Sequence, residues 1–161
     1  MKKFFISPTK GKLDFEALVE EIANFVLTEP EKSYKLIVGT DSNGKKIPTY
    51  VLAVVIYRKG SGGRFFYQKI ASKKETPLKA KIYQETMFSL NLATKLRKAL
   101  EEKLQKMAPE KGWEIHTDIG QTGPTKELIQ EITALVQSNG FEIKIKPESF
   151  GASVIADRCL K

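Results

Sequence analysis

Leu36-Ile37-Val38-Gly39-Thr40-Asp41-Ser42-Asn43-Gly44 is the stretch on which the fold turns. A short unbroken run of apolar and small residues from Leu36 to Gly39 suits a strand buried on both faces. Ser42-Asn43-Gly44 ends it, because Asn and Gly accept turn conformations that other residues resist. Asp41 is thereby expected at the carboxyl end of an interior strand. Taken alone it is also an ordinary turn aspartate, whose side chain would bond the local backbone.

Working outward, Tyr50 to Tyr57 is the strongest strand signal in the chain, and Ser61-Gly62-Gly63 turns it again. Arg64 to Ala71 mixes Phe65, Phe66, Tyr67 and Ile70 with Gln68 and Lys69, which predicts a third strand at a sheet edge. Short turns between the three make an antiparallel meander. Upstream, Phe15, Leu18, Val19, Ile22, Phe25 and Val26 carry helical spacing over Leu13 to Leu27, with Asp14 as cap. Downstream, Pro77 to Met107 is helical, with Leu78, Ile82, Leu92, Leu96, Leu100 and Leu104 on a stripe that also holds Glu85 and Ser89. A strand over Trp113 to Asp118, a helix entered at Pro124, a strand over Phe141 to Ile145 and a terminal helix over Ala152 to Leu160 complete the order. Gly60-Ser61-Gly62-Gly63 lacks a following Lys-Ser or Lys-Thr and precedes a strand, so it is a turn and not a phosphate loop.

Right-handed crossovers through the two later helices add parallel strands beside the first strand. The expectation is an α/β fold with a five-stranded mixed sheet, a three-stranded meander plus two parallel strands, flanked by helices. It forms one domain over residues 1–161, with residues 1–33 as an N-terminal helical extension. Asp41 and Asp118 then fall at the same carboxyl-terminal edge, where open α/β sheets place their sites.

Composition narrows the chemistry. With 41% hydrophobic and 29% charged residues, the 161-residue chain can bury one substantial core. Cys159 and His116 are its single cysteine and histidine, which excludes an intramolecular disulfide and a Cys/His zinc site. A Ser-His-Asp triad would have to use His116 as its base. Pro8 and Lys10 interrupt the signal-like start, and no run reaches the roughly 20 apolar residues of a membrane span. A cytoplasmic protein that does not enter membranes is expected. The net charge of +8 suits a polyanionic partner, since Lys and Arg gain affinity for phosphates by releasing counterions, and a merely soluble Lys-rich surface would account for it equally.

Glu85 sits among Leu and Ile on its stripe, where an unpaired carboxylate costs several kcal/mol or stays protonated. A buried Lys or Arg partner would equally account for it. Asp157, after Val154-Ile155-Ala156 on the short last helix, can face inward as well, or meet solvent. Carboxylates converging at one sheet edge repel one another and require either a cation or raised pKa values. Magnesium prefers such oxygen ligands.

Gly39-Thr40-Asp41-Ser42, Tyr83-Gln84-Glu85-Thr86, His116-Thr117-Asp118-Ile119-Gly120 and Ala152-Ser153-Val154-Ile155-Ala156-Asp157-Arg158 together resemble the ribonuclease H-like superfamily, and within it the YkuK-type proteins. The resemblance covers the chain after the leading helix. It implies four acids, Asp41, Glu85, Asp118 and Asp157, that bind two Mg2+ or Mn2+ ions and hydrolyse phosphodiester bonds. In that scheme Asp41 and Asp118 anchor the ions, and Glu85 and Asp157 complete one site each. Lys45 and Lys46, just beyond Asp41, are candidate nucleic-acid contacts, though a solvated hairpin would carry them too. The alternative is a nucleic-acid-binding or scaffold module of the same fold that has lost catalysis.

The chain departs from the pattern in one place. Many ribonucleases H carry a histidine before the last helix, whereas Lys146-Pro147-Glu148-Ser149-Phe150 has none. His116 reads as a structural residue. Strict alternation would put Glu114, His116 and Asp118 on one face, so either a polar cluster is buried there or the strand is irregular. Asp118-Ile119-Gly120-Gln121-Thr122 also matches the Asp-x-Gly-x-Thr loop of actin-like ATPases, but that loop belongs in a first hairpin and works between two such domains.

Overall fold

The computed structural model describes residues 3–109 and 112–149. Among these residues seven strands form one mixed sheet: β1 (Phe5–Ser7), β2 (Gly11–Leu13), β3 (Tyr34–Ser42), β4 (Thr49–Arg58), β5 (Gly63–Ala71), β6 (Trp113–His116) and β7 (Glu142–Lys144). Three α-helices among the described residues, α1 (Phe15–Thr28), α2 (Leu78–Leu104) and α3 (Ile129–Ser138), connect them, with 3-10 turns at Gln105–Met107 and Lys126–Leu128. The strand order is β2-β1-β5-β4-β3-β6-β7.

The meander is β3-β4-β5, antiparallel throughout, with Asp41 opposite Val51 and Val54 opposite Phe66. Parallel to β3 lies β6, pairing Val38 with Ile115 and Gly39 with His116, and β7 continues the parallel half. The expected five-stranded sheet is therefore present and is extended to seven. The two extra strands come from the N-terminus, where β1 and β2 form a hairpin and Ile6 pairs with Tyr67 of β5. That corrects the reading of β5 as an edge strand. Three-residue strands with one or two apolar positions give too short a pattern to separate from a loop. The expected terminal helix over Ala152 to Leu160 lies outside the described residues.

Two layers hold the sheet. Leu36, Val38, Leu52, Val54, Ile56, Phe66, Trp113 and Ile115 face the helices and pack with Leu18, Ile22, Val26, Ala93, Leu96, Leu100, Ile132 and Val136. On the opposite face Ile37, Val51, Ala53 and Val55 cluster with Phe65 and Tyr67. Residues of β3 and β4 are thus buried on both sides, which is why those runs are apolar without alternation.

Asp14 caps α1, its Oδ1 accepting the Ala17 backbone N–H at 2.8 Å. In α2 the buried residues Ile82, Glu85, Ser89, Ala93, Leu96 and Leu100 keep helical spacing down one face. Leu78 departs from the expected stripe and is exposed. It opens the first turn and lines the pocket described next. Among the described residues no helix is long and apolar enough to cross a membrane.

Candidate active site

The end of β3 is shaped by Asn43. Its Oδ1 accepts the backbone N–H groups of Lys45 and Thr49, each at 3.2 Å, while Gly44 supplies a φ of 75°. Such side-chain mimicry of a backbone turn is the usual use of Asn, and positive φ the usual use of Gly. Asp41 is carried to the sheet's edge, where its Oδ1 accepts the Ser42 N–H at 2.8 Å.

Helix α2 brings Glu85 to the same place. Thr40 and Ser89 hydroxyls meet at 2.7 Å, tying the helix to β3 one turn beyond Glu85. Glu85 is 6% exposed, and among the described residues its Oε2 has no hydrogen-bond partner. Its carboxyl is pushed up to about 8 by burial first, then by Asp41 and Asp118; a hydrogen bond with Ser42 and the Lys81 ammonium pull the other way. Lys81 is itself buried, with its Nζ donating to the Lys45 carbonyl at 3.2 Å.

Asp118 follows the end of β6. There the Thr117 N–H donates to Lys144 O at 3.0 Å and the Lys146 N–H to Ile119 O at 2.8 Å, so both chains run on side by side past the last strand pair. Asp118 Oδ1 and Lys146 Nζ form an ion pair at 2.8 Å. That hydrogen bond raises the Lys146 ammonium above its ordinary value, and Asp41 and Glu85 add to the effect.

Asp41, Glu85 and Asp118 thus line one pocket of about 270 Å³, together with Ser42, Lys81, Thr122, Thr125 and Lys146. The sequence expectation for these three acids corresponds to one place in the structure, and Asp157 lies outside the described residues. Lys45 and Lys46 are exposed in the turn beside Gly44, and Thr76 N–H holds that turn through Lys46 O at 2.8 Å. Among the described residues, no three His, Cys, Asp or Glu side chains form a group that could hold a metal ion as they stand.

Sequence reasoning passed over three contributors: Ser42, Lys81 and Lys146. Lys81 was legible as the residue one turn before Glu85 on the same face. For Lys146 the signal was its place just past the seventh strand, at the edge that carries Asp118.

The question posed by alternation in β6 resolves both ways. The strand stops at His116, so Asp118 is freed from the pleat. Glu114 and His116 are nonetheless buried, with Glu114 Oε1 2.9 Å from His116 Nε2 and Glu114 Oε2 3.2 Å from Lys35 Nζ. Burial lowers the His116 pKa against the pull of Glu114. For Glu114, burial acts upward but hydrogen bonds from His116 and Lys35 win and lower it. The cluster belongs to the face of the sheet that carries Ile37, its parallel partner at Glu114.

A family model described as ribonuclease H-like matches residues 17–161. The chain is also 32% identical over 166 residues to the uncharacterized protein YkuK of Bacillus subtilis (strain 168), covering 98% of this chain and 96% of that protein. No solved structure matches.

Proposed function

This chain belongs to the ribonuclease H-like family, and on that premise we propose that it is a metal-dependent nuclease that hydrolyses nucleic-acid phosphodiester bonds by a two-metal carboxylate mechanism. Glu85 carries the reading. Among the described residues one oxygen of this buried carboxylate has no hydrogen-bond partner, and two further acids stand beside it, an arrangement that is costly without a cation. A fold that retains it gains when a cation enters.

The donors suit Mg2+ or Mn2+, being hard oxygens with room for water and phosphate beside them. Asp41, Glu85 and Asp118, with Asp157 as the fourth acid, would hold two such ions. Bound there, the ions would supply activation of the attacking water and neutralise charge on the phosphate and the leaving oxygen. This chain's own part is to orient and to exclude. The hydroxyl contact between Thr40 and Ser89 fixes the helix that presents Glu85. Ser42 supports the Glu85 carboxylate, and Lys81 anchors the turn on which Lys45 and Lys46 meet substrate phosphates.

A nucleic-acid-binding module without catalysis is the second reading. It is favoured by the Lys146 ammonium, which already engages Asp118. Cleavage of labelled RNA, DNA, hybrid and junction substrates in Mg2+ or Mn2+ separates the two. The nuclease reading expects metal-dependent cutting that Asp41→Asn and Asp118→Asn each abolish. Binding without cutting of every substrate by the folded wild type would establish the module instead.

A further inference from the structure

We propose that Lys146 is a built-in counter-ion that takes the cation's place at Asp118 while no divalent ion is bound, so that ion entry requires its ammonium to leave. The inference rests on the reading of this pocket as a metal site and assigns it a competitor within the chain.

The backbone dictates where Lys146 stands. Parallel pairing sets Glu114 against Glu142 and His116 against Lys144, and the Lys146 N–H continues the ladder to Ile119 O. Two residues beyond the last pair on each chain come Asp118 and Lys146. Gly120 flanks the lysine stem closely: a Cβ there would lie 3.4 Å from Lys146 Cβ and 3.7 Å from its Cδ. The stem is thus guided along a glycine toward the acids, and its ammonium ends 2.8 Å from Asp118 Oδ1.

The two lysines of the pocket differ in what holds them. Lys81 is buried and its ammonium is spent on a backbone carbonyl. Lys146 has a side chain 56% exposed, and Asp118 one 34% exposed. An ammonium so placed can swing into water without a desolvation penalty, and an ion pair this open adds little to fold stability. Its chemical consequence lies elsewhere. A positive charge at a ligand oxygen both blocks the oxygen and repels an arriving dication.

Calorimetric titration with Mn2+, in parallel on wild type, Lys146→Met, Lys146→Arg and Asp118→Asn, tests this directly and needs no substrate. Met keeps the stem that packs on Gly120, and Lys146→Gln serves as a second neutral variant, with circular dichroism confirming that each is folded. The neutral variants are expected to bind Mn2+ about 1.5- to 5-fold more tightly, the advantage expected on removing one solvent-exposed competing ion pair. Lys146→Arg should stay near wild type, and the gain should vanish when Asp118→Asn is combined with Lys146→Met. Wild-type binding that the neutral variants leave unchanged or weaken would overturn the counter-ion role while sparing the metal site. No Mn2+ binding by the wild type or any variant would overturn both.

Discussion

The Thr40 and Ser89 hydroxyls lie 2.7 Å apart in the buried seam between β3 and α2. Thr40 adjoins Asp41, and Ser89 is one helical turn past Glu85. This contact between two neutral side chains therefore ties helix to strand within one turn of both acids.

Ser89→Ala would strand the Thr40 hydroxyl in the core, at an expected cost of about 1–3 kcal/mol. Thr40→Val combined with Ser89→Ala removes both polar groups and should cost less than the two single changes summed. Urea unfolding of the four proteins measures the coupling. Strict additivity would mean that the contact does not join helix to strand energetically.

Glu85 makes stability depend on pH in the metal-free protein. Its carboxyl is raised from 4.5 to about 8 in the fold, so between these values the unfolded chain releases a proton that the folded chain keeps. Stability from this group is complete below pH 4.5 and is lost as pH rises to about 8. In EDTA, Glu85→Gln should therefore stabilise the protein by about 2–4 kcal/mol at pH 8, and by far less at pH 4.5. Denaturant melts at the two pH values would show it. A gain that is equal at both would remove the ionisation from the explanation.

Lys45 and Lys46 are exposed in the turn next to the carboxylate pocket. If they meet phosphates, Lys45→Gln with Lys46→Gln should weaken binding of duplex DNA and reduce the slope of log affinity against log salt by about 1–2. Fluorescence anisotropy in the Asp118→Asn background reads both without cleavage. An unchanged salt slope would return these lysines to the solvent.

Much of this architecture was legible because the decisive segments are long or strongly patterned. Buried runs in β3 and β4, and the stripe of α2, follow from burial on two faces or on one, so their types could be read directly. The hairpin of β1 and β2 was not legible, since Phe5–Ser7 and Gly11–Leu13 offer three residues each and gain their structure by pairing onto β5. At the site, Glu85 stood out as an acid among leucines. Lys146 did not, because a lysine near a proline and a glutamate looks like any solvated loop until the parallel register of β6 and β7 carries it to Asp118.

Arg58, at the far end of β4, tests whether stability and site can be separated. Its guanidinium donates to Phe25 O at 2.6 Å, Thr28 Oγ1 at 2.8 Å and the Tyr34 hydroxyl at 3.1 Å, pairs with Glu29 at 2.8 Å, and lies 4.0 Å over the Phe25 ring. Lysine reproduces the charge but neither the fork nor the stacking. Arg58→Lys should cost about 1–3 kcal/mol in thermal or urea unfolding and leave Mn2+ affinity unchanged. Altered metal affinity in the folded variant would show that the two ends of the sheet are coupled.

On the proposed reading, Asp41, Glu85 and Asp118 act as one carboxylate unit completed by a divalent cation. Its most direct test is the ionisation of Glu85, followed by the carbon-13 shift of its side-chain carboxyl with and without Mg2+. Without the ion the midpoint should lie near 8, and with saturating Mg2+ it should fall well below, since a ligand carboxylate must be ionised. A midpoint that Mg2+ leaves unmoved would mean that Glu85 is not a ligand of the ion.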